Sequence, residues 1–130
     1  MTSGFLLDTH AWLWVLEGDP RLSPKARQIV RSENSRLRVS VVSVWEIVLK
    51  DQAGKLRIGF ALEDLLDYVL DSGNWSILPV LSAHVVALSK LPILHKDPFD
   101  RLLIAQAQVE RLAILTADGE IRKYPVATVW

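Results

Sequence analysis

The chain has 130 residues, of which 50% are hydrophobic, so it has the usual length of one domain and can bury a sizeable core. Its 15 Lys and Arg balance 15 Asp and Glu, and the formal charge of +0 excludes a general electrostatic attraction for nucleic acid. The absence of cysteine excludes a disulfide framework and a zinc–thiolate site, and it fits the reducing cytoplasm. We therefore expect a single domain over residues 1–130, and any contact with nucleic acid would require a local patch or bound metal.

Apolar runs in the sequence are short. Asp8 interrupts the first one, which argues against a signal peptide, and the run over 11–16 is far below the ~20 residues that cross a bilayer. The five Trp nevertheless add more apolar surface than a small domain easily hides. We expect no membrane segment, and we expect an interface with a partner or with a second copy in a homodimer.

Strand and helix patterns alternate along the chain. Ser23-Pro24 places a capping hydroxyl before a proline in the first turn of a helix, and Gly54 is placed to end another. The predicted strands cover 5–7, 36–40, 75–80, 113–116 and 126–129, and the predicted helices cover 9–17, 24–34, 42–53, 62–71, 82–91, 98–111 and 118–123. This order predicts a three-layer α/β/α sandwich with a mainly parallel sheet of about five strands.

Four acidic residues stand where such a fold places ligands. Asp8 and Asp118 follow strands, so they lie at the carboxyl edge of the sheet, where open α/β sheets bind ligands. Glu46 lies within the first turns after the second strand, and Asp100 lies in the first turn of the helix that Asp97-Pro98 opens. The sequence alone does not fix that helix at the same edge.

If the four carboxylates converge, their mutual repulsion in a dry cleft requires neutralising cations. Oxygen ligands favour Mg²⁺ or Mn²⁺ over zinc. Such ions activate water and stabilise a leaving oxygen, as phosphodiester cleavage requires, and one ion or two are both consistent with the sequence.

The motifs around these acids resemble those of a known family. They are Leu6-Leu7-Asp8-Thr9-His10, Ser43-Val44-Trp45-Glu46-Ile47 with Lys50, His95-Lys96-Asp97-Pro98-Phe99-Asp100-Arg101-Leu102-Leu103-Ile104-Ala105 and Leu115-Thr116-Ala117-Asp118. Their order over nearly the full length resembles the PIN-domain nucleases and, more narrowly, the VapC-type toxins of bacterial toxin–antitoxin pairs.

The resemblance implies a metal-dependent ribonuclease. Asp8, Glu46, Asp100 and Asp118 would form an acidic pocket that binds Mg²⁺ or Mn²⁺ directly or through water. It also implies that a small antitoxin with a DNA-binding half occupies the groove, so that any contact with DNA is indirect.

Further residues are assigned supporting roles. The resemblance implies that Thr9 and Thr116 help to orient the ligands. Asp97 is expected to support the site from outside the ligand set. Lys50 and Arg101 are hypothetical contacts for RNA phosphates.

Each acid also has an ordinary structural interpretation. Asp8 suits the cap of the first helix, and Asp118 suits a turn. Glu46 and Lys50 have the i,i+4 spacing of a surface ion pair worth only ~0.3–0.5 kcal/mol.

For Asp97, a helix cap is the favoured interpretation. Arg101 could pair with Asp97 at i,i+4 or contact a phosphate. The three histidines lack metal-ligand spacing, so direct catalysis by them is not expected; they are His10, His84 and His95.

Three other functions compete with the nuclease. A haloacid-dehalogenase-type phosphatase requires an Asp two residues after Asp8, where this chain has His10. A receiver domain requires an acidic pair beside the first strand and a Lys past the last strand, and neither is found here. A PIN fold that only binds a partner is the third alternative, and cation binding would separate it from an enzyme.

Overall fold

The computed structural model describes residues 4–130 and contains a five-stranded sheet whose strand pairs are all parallel. The strands are β1 (Phe5–Leu7), β2 (Leu37–Ser40), β3 (Trp75–Leu78), β4 (Ala113–Leu115) and β5 (Thr128–Val129), in the spatial order β3-β2-β1-β4-β5. The α-helices are α1 (Thr9–Glu17), α2 (Pro24–Arg31), α3 (Val41–Gln52), α4 (Leu62–Asp71), α5 (Ser82–Ser89) and α6 (Pro98–Glu110). Within this described part, none of the helices combines the length and apolar character that a bilayer span requires.

Both faces of the sheet are covered, as predicted. Successive residues of β1 point to opposite faces, so Leu6 packs with α5 and α6 whereas Leu7 packs with α1, α3 and α4. Ile114 and Leu115 divide between the same two cores. The three-layer sandwich is therefore confirmed, with an apolar core on each side of the sheet.

The elements near the C-terminus are shorter than predicted. The expected helix over 118–123 is wrong in its first half, because only a 3₁₀ turn over Ile121–Lys123 forms. Asp118 instead closes a turn in which its Oδ1 accepts a hydrogen bond from the backbone N–H of Glu120 at 2.9 Å. The last strand begins only at Thr128, two residues later than expected.

The direction of α6 brings Asp100 to the edge where Asp8 lies. Helix α6 ends at Arg111, which adopts a left-handed conformation with φ 58°, and β4 follows almost at once. The helix therefore runs back along the sheet, and its N-terminal turn lies at the carboxyl edge of the strands. The sequence had left this placement open.

A buried polar chain holds α6 against the sheet. The side-chain amide of Gln106 accepts from the Ser40 hydroxyl at 2.5 Å and donates to the Pro79 carbonyl at 3.2 Å. Nδ1 of His84 accepts from the backbone N–H of Leu81 at 3.0 Å, so Nε2 carries the proton and donates to Glu110 at 2.8 Å. His84 is thus a structural residue, as expected.

Gly4→Ala should destabilise the fold because Gly4 directly precedes the strand that delivers Asp8. Its φ is +131°, and an added Cβ would lie 2.7 Å from the Arg36 carbonyl oxygen. We expect a loss of roughly 1–3 kcal/mol in the free energy of unfolding, measured by urea denaturation. Gly59→Ala is the matched control, since a Cβ there meets nothing within 4 Å. Equal stability of the two variants would contradict this account of β1.

Candidate active site

The site lies where the order of the strands reverses. The chain moves outward from β1 to β2 and β3, then returns to place β4 on the other side of β1. Asp8 follows β1, and Thr116 follows β4 beside it, with the backbone N–H of Asp8 donating to the Leu115 carbonyl at 3.2 Å. Such a reversal leaves a crevice at the carboxyl edge of an open parallel sheet.

Asp8 is buried and uses both carboxylate oxygens. Its Oδ1 accepts from the backbone N–H of Ala11 at 2.7 Å, which caps α1, and its Oδ2 accepts from the Thr116 hydroxyl. Burial raises the pKa of Asp8, the two hydrogen bonds oppose that rise, and the charge of Asp118 adds to it. The cap predicted as the ordinary role of Asp8 is therefore present, and it occupies one oxygen of the two.

Glu46 projects from α3 into the same region and is also buried. Its Oε1 accepts from the Thr9 hydroxyl at 2.7 Å, and that hydroxyl oxygen lies 2.9 Å from Ser43 Oγ. Its Oε2 lies 2.6 Å from Lys50 Nζ. The predicted ion pair forms, but its description as a surface pair is wrong, because only 3% of the Glu46 side chain is exposed, against 39% for Lys50.

Asp100, in the first turn of α6, has a strongly raised pKa. Burial first, and then the neighbouring charge of Asp97, raise its pKa to about 7, while the contact with His95 opposes the rise. The charges of Asp8 and Glu46 contribute smaller parts of this rise. Asp8, which follows β1, and Glu46, on α3, are therefore close enough to act electrostatically on Asp100.

The structure also gathers a smaller group of metal-ligand side chains around Asp100. Ligand atoms of His95, Asp97 and Asp100 all lie within 4.8 Å of one another. Within residues 4–130, this is the only group of three such side chains that is gathered so closely. Oδ1 of Asp97 accepts from the backbone N–H groups of Phe99 at 2.8 Å and Asp100 at 3.1 Å. The predicted helix cap at Asp97 is thus confirmed.

Asp118 and Thr116 follow β4 and lie next to Asp8. The Thr116 hydroxyl donates to Asp8, and its oxygen accepts from the backbone N–H of Asp118 at 3.0 Å. The turn predicted as the ordinary role of Asp118 is present, and it holds this acid close enough to influence the pKa of Asp8.

Arg101 turns away from Asp97. Its Nη2 donates to the Leu91 carbonyl at 3.4 Å, and its Nε is buried without a hydrogen-bond partner. The sequence offered two roles for Arg101, an ion pair with Asp97 or a phosphate contact. Among residues 4–130, Arg101 forms no salt bridge with Asp97.

Sequence reasoning missed His95 and Ser43. Nε2 of His95 lies 3.0 Å from Asp100 Oδ2, and Ser43 contacts the hydroxyl of Thr9. His95 stands inside the motif that contains Asp100, so its position in that motif was the available signal. Ser43 lies one helical turn before Glu46, which was a weaker signal.

The comparisons with known proteins agree with this geometry. The PIN domain model matches residues 5–127, so the chain belongs to the PIN-domain family, and the predicted resemblance is confirmed. This membership removes the phosphatase and receiver alternatives. No curated protein sequence matches the chain.

Solved structures share the fold at low sequence identity. VapBC2 from Rickettsia felis bound to a DNA fragment from their promoter has a TM-score of 0.71 and 14% identity, covering 97% of this chain and 98% of that one. DNA-bound VapBC from Salmonella typhimurium has a TM-score of 0.69 and 16% identity, covering 99% and 98%. FitAcB from Neisseria gonorrhoeae has a TM-score of 0.66 and 19% identity, covering 97% and 96%.

The raised pKa of Asp100 predicts a pH-dependent stability in the absence of divalent cations. Between the ordinary value of 3.8 and about 7, the folded protein holds a proton that the unfolded chain has lost, so stability falls as pH rises through this window. The rise in the pKa of Asp100 corresponds to on the order of 4 kcal/mol. Asp100→Asn should therefore be more stable than the wild type at pH 8 by a few kcal/mol in the free energy of unfolding. Urea denaturation with chelator present measures this difference.

The control for this measurement is Asp67→Asn, an exposed position on α4 that should leave the pH profile unchanged. Equal stability of the wild type and Asp100→Asn at pH 8 would contradict a raised pKa of Asp100 in the folded protein.

Proposed function

We propose that this protein is a metal-dependent ribonuclease that acts as the toxin of a toxin–antitoxin pair. The observation that carries the proposal is the burial of Asp8 and Glu46 at the strand-order reversal, with their charges acting on Asp100. Buried carboxylates whose charges raise the pKa of a neighbouring acid are costly in a resting fold and are a mark of functional sites. Membership of the PIN family and the toxin–antitoxin structures of the same fold support the same activity.

The donor set fits Mg²⁺ or Mn²⁺, because the four acids offer oxygen ligands. A divalent cation supplies there the positive charge that offsets the carboxylates, activates water and stabilises the leaving oxygen of the RNA. In our proposal Asp8 and Asp100 are the principal ligands, Glu46 binds the cation or orients the attacking water, and Asp118 completes the ligand set.

Three further residues support these acids. The hydroxyls of Thr9 and Thr116 each donate to a carboxylate, on Glu46 and Asp8 respectively, and so fix the orientation of these two side chains. Asp97 fixes the N-terminal turn of α6, which carries Asp100. Partners of this kind orient metal ligands and tune their affinity.

Lys50 and Arg101 are the proposed phosphate contacts. Lys50 is the stronger candidate, because its ammonium group touches Glu46 and is partly exposed. Arg101 would first have to leave the Leu91 carbonyl, to which it donates in the structure.

The proposed protein partner is a small antitoxin, and we also propose a homodimer. Large apolar side chains are exposed on several helices, which suits burial against other chains. In this proposal the protein works in the cytoplasm, where its RNA substrate is found, and meets DNA only through the antitoxin.

Asp8→Asn should abolish cleavage while leaving the fold intact. Asn remains a good helix cap but contributes no negative charge to a cation. We expect at least a ~100-fold loss of RNA cleavage, and the wild type should lose its activity with chelator and regain it with Mn²⁺. Thermal unfolding should show stabilisation of the wild type by Mn²⁺ and little of the variant.

Asp67→Asn serves again as the exposed control and should cleave normally. Wild-type cleavage that persists in chelator would refute metal dependence. A protein that Mn²⁺ neither stabilises nor activates would instead be the non-catalytic binding module.

Lys50→Gln should weaken RNA binding and reduce the salt dependence of the affinity. Removal of one phosphate contact lowers the slope of log affinity against log salt by about 1. Filter binding to a catalytically inactive Asp8→Asn background measures this, with Lys25→Gln on exposed α2 as the control. An unchanged slope would remove Lys50 from the RNA site, and the same measurement on Arg101→Gln tests that residue.

A further inference from the structure

We infer that Tyr124 and His95 form a positioning pair for Asp100. The Tyr124 hydroxyl fixes the segment that carries His95, and His95 holds the carboxylate of Asp100 in the orientation that a cation requires. The inference rests on the proposed function, because it concerns a proposed metal ligand. Both residues act through Asp100 and are not assigned a contact with RNA.

The segment over 91–97 has no regular secondary structure, yet it must place His95 accurately. Leu91 before it is anchored in the core, but within 92–96 the apolar side chains do little to hold the chain, since Ile93 is 82% exposed and Leu94 is 48% exposed. The Tyr124 oxygen instead accepts from two consecutive backbone N–H groups, those of Leu94 at 3.0 Å and His95 at 2.9 Å.

Tyr124 is well suited to hold this segment because its own position is fixed. It is buried in the core between the sheet, α5 and α6, with Leu103 and Ile104 in the same cluster. Its backbone N–H also donates to Ile121, which ends the 3₁₀ turn. One oxygen on a rigid ring thus fixes two backbone groups of an otherwise unsupported segment.

His95 in turn determines where the carboxylate of Asp100 points. In a capping box, the side chain three residues after the cap turns back to accept from the backbone N–H of the cap residue, which here is Asp97. In the structure Oδ2 of Asp100 lies 3.0 Å from His95 Nε2 instead, a distance at which an Nε2–H donates. Oδ1 accepts no hydrogen bond from the described residues and stays available to a ligand.

The arrangement gives each residue a separable effect. Loss of the His95 donor frees the Asp100 carboxylate to rotate toward the cap, away from Asp8 and Glu46. Loss of the Tyr124 hydroxyl frees the segment and so weakens the same contact indirectly. Both changes should reduce cation affinity more than they alter the fold, since partners of metal ligands typically change affinity by ~10–100-fold.

The test compares Tyr124→Phe, His95→Leu and His95→Gln with the wild type. Tyr68→Phe is the matched control, because the chain has two tyrosines and Tyr68 is exposed on α4. Titration with Mn²⁺ gives the concentration for half-maximal thermal stabilisation, and RNA cleavage gives kcat at saturating Mn²⁺. Hydrogen exchange of the Leu94 and His95 amides follows the segment independently of activity.

We expect Tyr124→Phe and His95→Leu to require about 10–100-fold more Mn²⁺, with kcat largely restored at saturation. His95→Gln retains an N–H donor and should stay close to the wild type, as should Tyr68→Phe. Only Tyr124→Phe should accelerate exchange of both amides.

Other results overturn the inference. If His95→Leu binds Mn²⁺ with wild-type affinity, His95 has no positioning role. If Tyr124→Phe binds Mn²⁺ with wild-type affinity, Tyr124 has none. If His95→Gln loses as much affinity as His95→Leu, the imidazole is itself a ligand and not a positioning group. A wild type that does not respond to Mn²⁺ overturns the proposed function itself, a result distinct from the first three.

Discussion

The hydrogen bond from Thr116 to Asp8 is the interaction on which the rest of the site depends. It joins the residues that follow β1 and β4, which are neighbours only because the strand order reverses between them. A buried carboxylate needs donors, and Thr116 and the N-terminus of α1 supply them. Asp8 is fixed in this way and cannot rotate away from the other acids. The carboxylates of Glu46 on α3 and Asp100 on α6 therefore lie near a side chain of fixed position.

Helix capping and ligand binding are compatible uses of the same carboxylates here. Asp8 gives one oxygen to the cap of α1, and Asp97 gives one oxygen to the cap of α6. A carboxylate has two oxygens and several lone pairs, so a cap fixes its orientation without exhausting its capacity to bind. The structural and functional interpretations of these acids were posed as alternatives at the level of sequence, and the geometry permits both.

The fold could be predicted because alternating strand and helix patterns specify a covered parallel sheet. The short helix before β5 could not, because side-chain bonds of Thr116 and Asp118 close a turn where the pattern favoured a helix. The burial of Glu46 was hidden by its spacing from Lys50, which is equally typical of a surface pair. The contact of His95 with Asp100 depends on a segment held by Tyr124, 29 residues away, a relation that local patterns do not contain.

The proposed cation and RNA are coupled through Lys50. In the structure this ammonium group neutralises one oxygen of Glu46, so the acidic pocket carries less negative charge than its carboxylates alone would give. A cation bound by Glu46 would take over that neutralisation, because two positive charges on one carboxylate repel each other. Lys50 would then be free to contact a phosphate at the rim of the pocket. A chain with no net charge would in this way attract RNA more strongly at the site when the cation is bound.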